Sequence, residues 1–210
     1  GSVGFWRVAM KPGRPLAFGR VGDALFFLAA YNATPTFFYG LWKSDGTAGG
    51  TAHVKDINAG SVDSDPEGLT DVGGALYFTA STSENGRELW KSDGTAGGTV
   101  LVKDIWSGAS SGQPTGLVTL GNKILFSAAQ RLVNGRFPEF ELWVSDGTAN
   151  GTVQLKDLNG TSSGGAGSMT LYKNAVYFLR MVLEEPLDAD TRGMLEILDI
   201  EVGAAERIIS

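Results

Sequence analysis

LWKSDGTAGGTAHVKDI at 41–57, LWKSDGTAGGTVLVKDI at 89–105 and LWVSDGTANGTVQLKDL at 142–158 align without a gap across seventeen positions. A phrase written three times marks a repeat protein, and a residue used once per repeat is first a part of the building unit. The Leu-Trp start and the Val/Leu-Lys-Asp end are short apolar stretches. Between them, Ser-Asp-Gly-Thr has the chemistry of a tight bend: Asp accepts hydrogen bonds from nearby turn amides, and Gly supplies positive φ. Each copy reads as a β-hairpin.

Upstream of each copy a Gly-containing turn leads into an alternating apolar stretch, GDALFFLAA at 22–30, GGALYFTAS at 73–81 and GNKILFSAA at 121–129, with a fourth, KNAVYFLR, at 173–180. Shorter apolar strands precede these turns at 16–18, 68–72, 116–120 and 168–172. One unit therefore holds four strands, a to d, which in the second copy fall at 68–72, 75–80, 88–91 and 99–105. The two-residue link Gly73-Gly74 and the Asp-Gly bend make each unit a sequential antiparallel meander.

Trp42, Trp90 and Trp143 stand 48 and 53 residues apart, and no helical period interrupts them. The expectation is an all-β single domain over 1–210, a β-propeller of four-stranded antiparallel blades. Four blades are expected, at about 16–57, 68–105, 116–158 and 168–209. An N-terminal strand at 5–10 aligns with a d strand. The fourth unit has lost the Trp and the Asp-Gly-Thr, with 194–200 and 206–209 at the c and d places, as a terminal repeat does. Either the N-terminal strand closes a four-bladed ring, or the chain is an arc of a larger propeller completed by another copy, in which case a homodimer is expected.

The phrases RELWKSDGTAGGTVLVKDI and FELWVSDGTANGTVQLKDL resemble the bacterial ELWxxDGT repeat. The resemblance covers residues 16–160 and the tail only by alignment to the unit. It implies repeated β units in bacterial surface or secreted proteins, hence an extracellular or cell-surface location, and it implies no particular biochemical activity. The first copy departs in carrying Gly40 where Glu precedes Leu-Trp. The Ser-Asp-Gly-Thr bend is also similar in local chemistry to the Asp-box of sialidase-type propellers.

Bulk composition narrows the partners. The chain has 210 residues and a net charge of -6, which argues against a nucleic-acid ligand, since that needs a basic stripe. No apolar run is long enough for a spanning helix, so no membrane insertion is expected. The absence of cysteine excludes disulfides and thiolate metal sites.

Residues that repeat read as frame. Asp45, Asp93 and Asp146 are expected as turn staples, with repeated metal ligation as the alternative. Trp42, Trp90 and Trp143 are expected between neighbouring blades, with a ring of sugar-stacking platforms as the alternative. The Lys-Asp pairs at 55–56, 103–104 and 156–157 are expected to make ion pairs between blades. His53, the single histidine, sits where the sister repeats are read to carry Leu101 and Leu155, and no nucleophile motif accompanies it. Asp63, Asp65 and Glu67 form a calcium candidate in a d-to-a loop, against the reading of a solvated acidic loop; no other cofactor is expected.

What differs between units is the b-to-c connection, read as loops at 31–40, 81–87, 130–140 and 181–193. Uniform scaffold beside diverse loops is the arrangement of a frame that presents a binding surface. On that rim Tyr31, Phe37, Phe38, Tyr39, Arg131, Arg136 and Phe137 are the expected contacts, since aromatics and Arg dominate recognition. Phe37 and Phe38 plugging a central channel is the competing reading. The functional expectation is a non-catalytic binding or adhesion module for a protein or a glycan. A structural spacer is the alternative, and a propeller hydrolase or lyase a third, resting on a single-copy carboxylate such as Glu139 or Glu184.

Overall fold

A computed structural model describes residues 18–31, 38–58, 63–133, 137–156, 166–172 and 175–180. Among these there is no helix. β1 (Phe18–Val21), β2 (Ala24–Tyr31), β3 (Phe38–Ser44) and β4 (Ala52–Lys55) form the first sheet, in chain order. β5 (Glu67–Val72), β6 (Ala75–Thr82), β7 (Gly86–Ser92) and β8 (Val100–Lys103) form the second. β9 (Thr115–Leu120), β10 (Lys123–Val133), β11 (Phe137–Ser145) and β12 (Val153–Lys156) form the third, and β13 (Ala166–Tyr172) pairs with β14 (Ala175–Arg180). Every pairing is antiparallel, so each four-stranded sheet is a meander. Gly73 and Gly74 turn with φ of 60° and 88°, the double positive that a primed hairpin requires.

Two boundaries differ from the sequence reading. The first strand runs on to Val21, past the expected end at 18, and turns at Gly22 with φ of 56°; its expected start at 16–17 lies outside the described residues. Arg20 hid the extension: a polar residue broke the apolar pattern, and its Nε folds back to donate to the Gly22 carbonyl at 2.9 Å. The connections read as loops at 31–40, 81–87 and 130–140 are largely strand. β6 and β7 leave only 83–85 as their turn, and β10 runs to Val133 before β11 resumes at Phe137. Strands a and d do not extend along these ends; in the second sheet the loops before strand a meet them instead, the Ser81 amide donating to the Ser64 carbonyl at 2.7 Å and the Gln113 amide to the Arg87 carbonyl at 3.1 Å. The expected strand at 5–10 and the c and d places of the fourth unit lie outside the described residues.

The sheets stack in series through their first strands, β1 on β5, β5 on β9 and β9 on β13. Among the described residues they form no closed ring. Where successive first strands meet, a β-carbon on Gly19 would fall 2.8 Å from Leu69 Cβ, which keeps that position a glycine. Three apolar clusters fill the space between sheets. Phe26, Leu41, Val54 and Ile57 of the first sheet meet Leu76, Phe78, Ala80 and Trp90 of the second. Val72, Tyr77, Leu89 and Val102 then meet Ile124, Phe126, Ala128 and Trp143 of the third. Leu125, Leu142 and Val144 meet Val176 of β14. Trp90 and Trp143 thus pack between neighbouring sheets. Trp42 occupies the same place on the first sheet, half-buried on the face turned away from the second, with His53 edge-on at 5.3 Å. The ladder pairs Trp42 with His53, Trp90 with Leu101 and Trp143 with Gln154, so the third counterpart of His53 is Gln154, not Leu155.

Candidate functional site

The repeated phrase builds one hydrogen-bonded bend three times over. Asp45, Asp93 and Asp146 each accept from the amide two residues on, at 2.8 to 2.9 Å. The hydroxyls of Thr47, Thr95 and Thr148 donate to the same carboxylate oxygens at 2.7 to 2.8 Å. Each Thr then accepts from the amide of Gly50, Gly98 or Gly151 at 2.9 Å. A β-carbon on any of those three glycines would overlap the Asp carboxylate, which explains the second glycine of the phrase. The preceding Ser accepts from the bend glycine at 2.9 to 3.0 Å and shares a hydrogen bond with the closing Thr. The hydrogen bonds from Thr hold all three Asp carboxyls below their ordinary value of 3.8.

The bends also receive the sheet before them. Phe26 of the first sheet lies against Gly94 of the second, and Tyr77 of the second against Gly147 of the third. Lys55 Nζ donates to the Thr99 carbonyl at 2.7 Å, and Lys103 Nζ to the Thr152 carbonyl at 2.7 Å and the Ala149 carbonyl at 3.3 Å. Lys91 Nζ donates to the Gly147 carbonyl at 2.7 Å. Of the lysines expected to form ion pairs between blades, Lys55 and Lys103 thus make ammonium-to-carbonyl bonds, while Asp157 of the third pair lies outside the described residues. A charge-assisted bond to a partly buried carbonyl contributes roughly 1.5–3 kcal/mol, against about 0–1 for an exposed ion pair. Lys103 Nζ also sits 5.9 Å from the centroid of the Trp143 ring.

The opposite rim is made by the β2–β3, β6–β7 and β10–β11 hairpins, and here nothing repeats. Tyr31 pairs with Phe38, and Ala30 with Tyr39, at the end of the first hairpin. Val133 pairs with Phe137 in the third. Phe37 and Arg136 lie outside the described residues. The rim candidates thus gather within two hairpins whose sheets are separated by the second sheet. Arg131 is well exposed at its tip, and its Nε donates to the buried carboxylate of Glu139 across the hairpin.

On the second sheet Arg87 dominates the rim. Its guanidinium meets Asp65 Oδ2 at 3.0 Å, the Asp65 carbonyl at 2.9 Å and Glu67 Oε2 at 3.4 Å. Two of the three carboxylates in the calcium candidate therefore face a guanidinium, while Asp63 Oδ1 accepts the Asp65 amide at 3.1 Å. Among the described residues no group of three or more His, Cys, Asp or Glu is placed to hold a metal ion. Asp65 has φ of 44° just before Pro66, and Gln113 has φ of 47° just before Pro114. The sister loop makes the same left-handed step without a carboxylate, so the backbone shape of this loop does not depend on acidity.

The sequence reading missed Glu88, the Glu of the Glu-Leu-Trp phrase. It is fully buried and accepts three backbone amides of the loop that leads to the third sheet: Gly112 at 2.7 Å, Ile105 at 3.1 Å and Trp106 at 3.3 Å. Burial pushes its carboxyl up to about 7, against the pull of those amides, with the Asp104 carboxylate adding to the rise. Asp104 in turn accepts from Asn85 Nδ2 at 3.2 Å and from the Gly108 amide at 3.0 Å. The only sequence signal for this staple was a charged residue beside an apolar Leu-Trp.

No protein-family model, characterised protein or solved structure matches the chain. Among the described residues no helix is long and apolar enough to cross a membrane.

Proposed function

We propose that this chain is part of a β-propeller-like array of the ELWxxDGT type, carried on the outside of a bacterial cell. In this reading it binds a protein or glycan partner through the rim opposite the repeated bends, without catalysis. The observation that supports it is the contrast between the rims. On one, three bends agree to within 0.1 Å in every shared hydrogen bond. On the other, β6 and β7 close over three residues while β10 extends to 11. A frame held constant under variable hairpins suits presentation of a recognition surface. Tyr39, Arg131 and Phe137 are the residues we assign to contact. Glu139 faces Arg131 and Glu88 is saturated by amides, which favours a positioning role for both over acid–base chemistry.

The test is an array of bacterial and host glycans and surface proteins probed with the chain and with Tyr39→Ala, Arg131→Ala and Phe137→Ala. Binding that falls at least tenfold in these variants supports the rim. Binding that all three leave unchanged overturns it. The serial, near-identical junctions favour one further reading, a spacer in a longer surface array, for which no ligand would be captured.

A further inference from the structure

The carboxylate of Glu88 lies where its loop has no side chain. A β-carbon on Gly112 would fall 2.8 Å and 2.9 Å from the two Glu88 carboxylate oxygens and 3.0 Å from Ile105 Cβ. Gly112 is not one of the left-handed glycines, so it is glycine for space and not for backbone conformation. The carboxylate takes the room that a side chain at 112 would need, and the Gly112 amide donates to it at 2.7 Å.

The first sheet has both members exchanged. Gly40 pairs with Ala29 as Glu88 pairs with Ala80 and Glu141 with Ala128, so it stands at the place of the glutamate. Ser64 stands at the place of Gly112: its carbonyl accepts the Ser81 amide at 2.7 Å, as the Gly112 carbonyl accepts the Ala129 amide at 2.8 Å. Each is followed by a left-handed residue and then a proline, Asp65-Pro66 and Gln113-Pro114. Ser64 follows Gly40 by the same 24 residues that separate Gly112 from Glu88. Ser64 is 2% exposed, and its hydroxyl has no hydrogen-bond partner among the described residues. A buried hydroxyl without a partner supplies volume and no bond. In the third unit Glu141 is buried, and the sequence 24 residues beyond it again carries glycine, at 165.

We infer that the residue before Leu-Trp and the residue 24 positions on form an exclusive pair, glutamate with glycine or glycine with a side chain, so that a single side chain lies beneath the outgoing loop. The pair sets which loop a unit accepts. A loop with a side chain at the place of Ser64 fits a unit that lacks the glutamate, and a loop with glycine there fits a unit that has it. Both members precede the next sheet, so a unit duplicated with its loop keeps its pair together. The pairing does not rest on the binding role proposed above.

A double-mutant cycle on the first sheet tests it, read by the urea midpoint and by amide hydrogen exchange. Gly40→Glu should lower the midpoint because its carboxylate meets the Ser64 side chain, and Ser64→Gly should lower it by removing the bulk beneath the loop. The double variant should return to the wild-type midpoint or rise above it. Its amides at 57 and 64, the places of Ile105 and Gly112, should exchange at least tenfold more slowly than in the wild type, which a change of bulk alone would not produce. Ser64→Ala keeps the β-carbon and should leave the midpoint unchanged or raise it. On the second sheet Gly112→Ser should lower the midpoint, by less in a Glu88→Gly background. Losses from Gly40→Glu and Ser64→Gly that simply add overturn the inference, as does a Gly40→Glu chain as stable as the wild type or a Ser64→Ala chain as unstable as Ser64→Gly. Where Gly40→Glu alone does not fold, the double variant decides: a folded chain supports the pair and an unfolded one overturns it.

Discussion

The first and second sheets have the same strand order, the same bend and almost the same phrase, yet among the described residues one packs on both faces and the other on one. Gly46 and Gly94 differ by 4° in φ (90° and 86°), while only Gly94 lies beneath an aromatic ring. The second sheet has Glu88 to tie its outgoing loop; the first has Gly40 at that place. Local hydrogen bonding therefore makes the unit, and contacts between units complete it. Substitutions at five positions break this comparison at different points.

The largest effect is expected at Glu88. Glu88→Ala strands two buried amides and one partly buried one, and should cost about 3–5 kcal/mol in urea unfolding. Glu placed at Gly40 would show whether the first sheet tolerates the same staple. Next, Gly147→Ala should cost about 3 kcal/mol and Gly46→Ala about 1, although both have φ near 90°. Strain is common to the two, so the difference reads the occupant of the bend, the Tyr77 hydroxyl. Equal costs would remove the distinction. Lys103→Met, which keeps the apolar stem and loses the bonds to the third sheet, should cost about 1–2 kcal/mol, with little change on adding salt.

The smallest effect is a pH dependence, and its sign differs between the two features. The Glu88 carboxyl is raised from 4.5 to about 7, so the folded chain holds a proton that the unfolded chain releases. Stability should fall as pH rises from about 4.5 through 7, seen as a melting temperature several degrees lower at pH 8 than at pH 5. Glu88→Gln should flatten that slope. The Asp carboxyls of the bends are lowered, so their contribution is present above 3.8 and is lost as pH falls below it. The maximum is thus expected near pH 4.5.

What the sequence showed follows the reach of each interaction. The bend was legible because its bonds span two to four residues, and Ser, Asp, Gly and Thr each announce their part. The four-strand meander followed from the bends and the Gly73-Gly74 turn. The contacts of Lys55 and Lys103 were misread as ion pairs because their carbonyl partners lie 44 to 49 residues away and leave no mark in composition. Glu88 was overlooked for the same reason, its amides lying 17 to 24 residues on. The rim hairpins were taken for loops because they differ from unit to unit and carry no shared pattern to read. Of the rim candidates, Arg131 was picked for exposure, and its Glu139 partner emerged only from the hairpin register.

Among the described residues, Lys55, Lys91 and Lys103 bridge sheets by hydrogen bonds to main-chain oxygen. A carbonyl is the same whichever residue bears it, so the grip demands no matched mutation on the other side. Any copy of the unit can follow any other, and a gene that duplicates one unit obtains a working seam at once. Lengthening the array then requires no coevolution, and the side chains at the far ends of the hairpins are left to diverge.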